Sequence, residues 1–134
     1  MESIMNYKII EFRVWDKEKS KFDINDHTKN IKYSLWDWSM SKCLIFPVDS
    51  YIFQQYTGLT DSKETEICEG DILKINYDTF GNVIGQVLYE ADQGAYIFQW
   101  KRNGPNQNYI NLNCDVAFES VIVGNIFENP ELLK

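Results

Sequence analysis

Apolar and polar residues alternate with a period of two through most of this chain, in short runs separated by polar turns. That is the pattern of half-buried β-strands. In KIIEFRVWD, Ile10, Phe12 and Val14 fall on one face while Glu11 and Arg13 point the other way. KEKSK, Lys17 to Lys21, reads as a charged turn, KFDI as the returning strand of a hairpin, and NDHTKN, Asn25 to Asn30, as a loop. In IKYSLWDWSM the alternation of Ile31, Tyr33 and Leu35 gives way to Trp36 and Trp38 at the opposite parity. A bulge or a sheet covered on both faces would account for this. KCLIFPV is stopped by Pro47, which suits a strand end, and SYIFQQYTGL is a further strand ending in a turn at Gly58.

The second half is more regular. GDILKINYD aligns Leu73, Ile75 and Tyr77; DTFGN is a turn; VIGQVLYE is a strand; ADQG is a turn; AYIFQWK aligns Tyr96, Phe98 and Trp100. Three strands joined by short connections make a meander. RNGPNQN follows as a polar loop, then YINLN and FESVIVGNIF as strands. In the closing ENPELLK, Asn129 can cap and Pro130 supplies the preset first position of one helical turn. Apolar residues at helical spacing are not sustained for three turns anywhere. The chain is read as one domain over 1–134, with a seam near residues 47–57 dividing an N-terminal β region, 1–50, from a C-terminal part, 51–134.

Composition agrees. Phe, Trp and Tyr make up 15% of the 134 residues and apolar residues 44%, enough for an aromatic-filled β core. The net charge of −7 repels phosphate backbones, which argues against sequence-independent nucleic-acid binding, and favours solubility or a basic-faced partner. No basic segment followed by an apolar stretch opens the chain, so no secretory leader is expected, and no apolar run reaches the length of a membrane span. Cys43, Cys68 and Cys114 are widely spaced without a CxxC pair, and are expected to be reduced, buried and not zinc ligands.

Candidate chemistry centres on TGLTDSKETEICEGDILKI, where Glu69 and Asp71 flank Gly70. We read this as a bend: glycine takes positive φ without a Cβ clash, and the aspartate bonds nearby amides. Gly70, Gly81 and Gly85 lie where a strongly curved barrel must turn or bend. Their spacing is similar to the first hairpin of an SH3-like barrel and to nucleic-acid-binding KOW segments. Two other chemistries stay open. Asp61, Glu66, Glu69 and Asp71 could hold a hard cation for a metal-dependent hydrolase. Lys74, Lys101 and Arg102, with Tyr96 and Trp100, could bind single-stranded nucleic acid through the barrel. His27, the one histidine, sits among polar loop residues with no nucleophile turn beside it. Trp15, Trp36, Trp38 and Trp100 lie on apolar-rich runs and are expected in the core or a subunit interface.

Three blocks, FRVWDKEKSKF, QQYTGLTDSKETEICEGDILK and VIVGNIFENPELL, in that order, resemble the YopX family of phage and prophage proteins. Two departures stand out: the usual Asn-Gly after the TGLxD pattern is absent here, which predicts a wider loop at residues 61–65, and Cys68 replaces the usual aromatic. The resemblance implies a mostly β, YopX-like fold. It has a small bent-strand β-barrel, SH3-like in character, in the C-terminal part, an N-terminal β subdomain and a short C-terminal helical turn. It also implies homo-oligomers and a place in the cytoplasm of a bacterial host, and transfers no enzymatic activity, catalytic residue, cofactor or metal. The motif residues Arg13, Trp15, Asp16, Tyr56, Gly58, Glu69, Gly70, Asp71, Gly124, Asn125, Asn129 and Pro130 therefore read as architecture, with a charge-assisted bond across the fold for Arg13 and Asp16. The expected role is that of a non-enzymatic accessory protein acting through protein–protein contacts or self-assembly, with a host or phage protein as partner.

Overall fold

Strand periodicity carries through to the backbone. The computed structural model describes residues 10–34, 37–38, 48–77, 81–101 and 107–134, and falls into two units, Met1–Gln55 and Tyr56–Lys134. The boundary lies within β4 (Tyr51–Thr60), whose residues 51–55 belong to the first unit and 56–60 to the second.

In the first unit, β1 (Glu11–Asp16) is the central strand. It pairs antiparallel with β2 (Lys21–Phe22), with β3 (Tyr33–Ser34) and with residues 51–55 of β4. The β1–β2 hairpin closes because Asp16 Oδ1 accepts the Glu18 and Lys19 amides at 3.0 and 3.1 Å. Phe12, Val14 and Tyr33 form the core, and Trp38 and Tyr51 pack on it. Arg13, expected to point outward, is instead buried, because β1 is covered on both faces. Its Nε donates to Gln54 Oε1 at 2.9 Å and its guanidinium lies 4.7 Å from the Phe22 ring centre. Asn25 holds the 25–30 loop from inside: its amide group donates to Lys32 O and its Oδ1 accepts the His27 amide.

The second unit contains β5 (Glu66–Cys68), β6 (Asp71–Tyr77), β7 (Gly81–Glu90), β8 (Ala95–Lys101), β9 (Gln107–Asn111), helix α1 (Cys114–Phe118) and β10 (Ser120–Asn125). The antiparallel sheet β10-β6-β7-β8-β9 curls around Ile67, Leu73, Ile75, Val87, Phe98, Leu112 and Ala117. The meander β6–β7–β8 is in simple register, with Leu73 opposite Gly85 and Val87 opposite Phe98. At Gly85 the β7 backbone lies close against β8. A Cβ there would overlap the Gln99 carbonyl oxygen and lie 2.9 Å from the Phe98 ring.

Other expectations need correction. Helix α1 was not anticipated: five residues are too few to show a helical period, although Asn113 caps it through a 3.0 Å bond from the Val116 amide. Asn129 stands at the N-cap position of the final 3-10 turn, Pro130–Leu133, but its side chain makes no capping bond there. Its Oδ1 reaches back to accept the Asn125 amide at 3.2 Å, close against Gly124. Cys68 is buried as expected, but Cys114, the first residue of α1, is exposed. The readings of Trp36, Cys43, Pro47 and Arg102, and of the Tyr77 side chain, lie outside what is described.

The 61–65 connection is tight rather than wide. Asp61 N and Thr65 O bond at 2.9 Å, and Asp61 Oδ1 accepts the Lys63 and Thr65 amides. That carboxylate holds Glu64 at φ +64°, a left-handed conformation that costs a non-glycine residue roughly 1–2 kcal/mol. Glycine at 64 removes that cost and loses part of the gain as unfolded-chain entropy. Glu64→Gly should therefore stabilise by about 0.5–1 kcal/mol in urea denaturation.

Candidate functional site

The Glu69-Gly70-Asp71 segment is the bend between β5 and β6. Gly70 has φ +86°, the left-handed position a turn of this kind reserves for glycine. The turn is fastened on both sides: Gly70 N donates to Val87 O at 2.7 Å, and Gly70 O accepts Ile126 N at 2.9 Å. Asp71 is buried, and its Oδ2 accepts the Cys68 amide at 2.8 Å.

Asp61 does similar work on a longer scale. It is 2% exposed, and besides the two turn amides its Oδ2 accepts Ile122 N at 3.0 Å, tying the 61–65 turn to β10. Just before it, β4 advances from Tyr56 to Thr60 while β5 moves only from Cys68 to Glu66. Gly58, at φ +85°, and the Thr57 hydroxyl, which donates to Ile67 O, accommodate this bulge.

The remaining motif residues are equally local. Asn125 Oδ1 accepts the Phe127 and Glu128 amides, and its amide group donates to Glu128. Trp15 packs edge-on against Phe22. The bond across the fold expected of Arg13 is made to Gln54, while Asp16 takes up hairpin amides. Among the described residues, no group of three or more His, Cys, Asp or Glu side chains is placed to hold a metal ion.

The residues considered for nucleic-acid contact divide between two faces. Tyr96 and Trp100 pack against the core, Trp100 stacked on Phe98 at 5.5 Å. Lys74 pairs with Ile84, and Lys101 follows Trp100, which pairs with Gly85, so both lysines fall at strand positions of the other parity. Ile84, Gln86, Gln99, Trp100, Lys101 and Leu133 line a small open cleft of about 50 Å³ on that side.

Two tyrosines sit in environments that resist ionisation. The Tyr33 hydroxyl shares its proton between Asp23 Oδ2 at 2.7 Å and Ile24 O at 2.8 Å, and burial, then Asp23, raises its pKa. Burial, then the charge of Glu69, pushes Tyr96 up to about 12. The fold favours both neutral phenols, so their stabilisation is complete below the ordinary value of about 10 and is lost above it. Absorbance titration should show Tyr96 ionising near 12 and Tyr33 resisting longer, with the thermal midpoint falling from about pH 10 upward.

The two edges of the second unit's sheet differ. On β10, Ser120 O accepts Ser62 N, and Ile122 N is held by Asp61, so that edge is covered. On β9, the bond from Leu112 N to Tyr96 O sets the alternation. Asn108 and Ile110 turn their backbone groups to β8, and Gln107, Tyr109 and Asn111 turn theirs outward. Among the described residues no strand pairs with that edge. Tyr109 is 53% exposed, and QNYIN carries no charge. Sequence reading missed this asymmetry, because which edge is covered depends on contacts as far apart as Asp61 and Ile122.

Fold and motif together define a mostly β protein with a curled C-terminal sheet, whose shared residues set turns and bulges. The family profile described as YopX protein matches residues 11–134, and the chain belongs to that family. Among solved structures it is similar to protein EF1440 from Enterococcus faecalis, with 20% identity over 94% of this chain and 99% of that one, at a TM-score of 0.54. That likeness concerns the fold alone. No curated protein matches the chain. Among the described residues no helix is long and apolar enough to cross a membrane.

Proposed function

We propose that this chain is a non-enzymatic phage or prophage accessory protein of the bacterial host cytoplasm, working through protein–protein contacts and self-assembly. Family membership supports the phage setting. The observation that carries the contact reading is the uncharged β9 edge, with which no strand pairs among the described residues, set against a β10 edge held by Ser62 and Asp61. Unpaired strand edges are templates for a further strand, and proteins that avoid such pairing usually place charge or proline there. A second copy pairing antiparallel about Tyr109 would set Tyr109 against its equivalent and Gln107 against Asn111, with no charge brought together in a chain of net −7.

Sedimentation velocity at tens of micromolar tests this. The wild type should associate, and Tyr109→Lys, which puts a charge at the centre of the edge and gives up only the exposed bond from Gln93 to the Tyr109 hydroxyl, should weaken association at least about tenfold. A wild type that stays strictly monomeric overturns the self-assembly reading.

A further inference from the structure

The second unit has five Lys and Arg against twelve Asp and Glu, yet the surroundings of one cleft on its sheet run against that balance. In the cleft lined by Ile84, Gln86, Gln99, Trp100, Lys101 and Leu133, Lys101 forms part of the wall. Lys74 sits directly across the ladder from Ile84, and Lys134 follows Leu133 in the chain. Three of the unit's five cationic residues are therefore placed at the cleft or next to its lining. The strand segments around it, 72–76, 82–88 and 97–101, contain no Asp or Glu, and the acid nearest along the lining segments is Glu131, two residues before Leu133.

The lining offers two kinds of contact. Gln86 and Gln99 are partners across the β7–β8 ladder, so their side chains leave one face of the sheet with Cβ atoms about 5 Å apart. Among the described residues no hydrogen bond or ion pair engages the side chains of Gln86, Gln99, Lys74 or Lys101. Beside these polar groups stand two apolar side chains, Ile84, 38% exposed, and half-buried Leu133. The volume of about 50 Å³ has room for a few waters, or for one carboxylate on a short stem. It is far below the roughly 300 Å³ or more of a pocket that encloses a free small molecule.

We propose that this cleft receives a glutamate side chain presented by a partner protein. The two methylenes of a glutamate suit the apolar pair, Ile84 and Leu133, while its carboxylate accepts from the Lys101 ammonium and the two glutamine amides. Lys74, one strand away, adds to the local positive potential. An open cleft of this volume leaves most of a free acid in water, so useful affinity has to come from the rest of a larger partner. A nucleic acid fits poorly, because one phosphate enters and the remaining ones meet an acidic unit. The inference rests on the contact-making reading above and gives it a partner chemistry, on the face of the sheet and not at the β9 edge.

The test is heteronuclear NMR of the full chain titrated with N-acetyl-glutamate N-methylamide, with the equally capped glutamine, and with inorganic phosphate. Capped glutamate should move the side-chain amide signals of Gln86 and Gln99 saturably at millimolar concentration, and capped glutamine should leave them in place. Phosphate should bind more weakly, having no stem to pack on Ile84 and Leu133. Lys101→Gln should weaken glutamate binding about threefold and Lys74→Gln/Lys101→Gln about tenfold, the scale of exposed charge pairs. Lys63→Gln, on the turn beyond β10, should change it less than about 1.5-fold. No saturable shift, equal shifts with capped glutamine, phosphate binding as tightly, or an equal loss from Lys63→Gln overturns the proposal. Sedimentation of the wild type keeps the two ideas apart: association without glutamate binding removes this cleft alone, and binding by a monomer removes self-assembly alone.

Discussion

Alanine at position 85 should cost about 3 kcal/mol and lower the thermal midpoint by about 10 °C. The reason is backbone proximity rather than backbone conformation. An added Cβ would overlap the Gln99 carbonyl oxygen and press on the Gln99 carbonyl carbon and the Phe98 ring, both at 2.9 Å. Neither the β7–β8 ladder nor a fully buried phenylalanine can give way cheaply, since Val87 opposite Phe98 lies at the centre of the core. Gly58 is the matched control. Nothing lies within 4 Å of a Cβ there, and only its φ of +85° resists substitution, so Gly58→Ala should cost about 1–2 kcal/mol. Equal losses at the two positions would show that the close approach at Gly85 is not what shapes the hairpin.

The second large effect is expected at Asp61. Removing its carboxylate in Asp61→Ala takes the acceptor from three backbone amides at once, those of Lys63, Thr65 and Ile122. With the site buried, we expect a loss of about 3 kcal/mol. Asp61→Asn keeps the shape but turns a donor toward one set of donors, and should cost about 2 kcal/mol. Urea denaturation gives the totals. Hydrogen exchange gives the location: the Ile122 amide should lose protection more than the amides at the β7–β8 ladder. A loss spread evenly over the sheet would mean that Asp61 is not the clasp between the turn and β10.

Much of this fold could be read from local pattern. Strands β6, β7 and β8 fall where the alternation placed them, because each has one face on the core and their connections are short. Gly70 was legible for the same reason: a glycine beside an aspartate before an apolar run has few other uses. Arg13 was misread because period-two reasoning assumes one covered face, and β1 has two. Helix α1 left no periodic trace in five residues. The tightness of the 61–65 turn was hidden because the usual Asn-Gly is replaced by a carboxylate that holds a non-glycine residue at positive φ. Its third bond, to Ile122, joins residues 61 positions apart, which no local window contains.

The candidate site was legible in part. That the motif shapes backbone follows from residue types, and the recorded hydrogen bonds of Asp16, Asp61, Asp71, Asn125 and Asn129 support it. Which surface is left to meet a partner was not legible. The β9 edge, with which no strand pairs among the described residues, follows from strand register and not from any local pattern.

The central claim is that the motif carboxylates build turns and hold no ion. Its most direct test is the thermal midpoint of the wild type with millimolar magnesium or calcium and with a chelator. An ion bound at a hundred times its dissociation constant would add about 2.7 kcal/mol, a shift of several degrees. The account predicts midpoints that agree within about 1 °C under all three conditions; a rise of several degrees with either cation, reversed by the chelator, would contradict it.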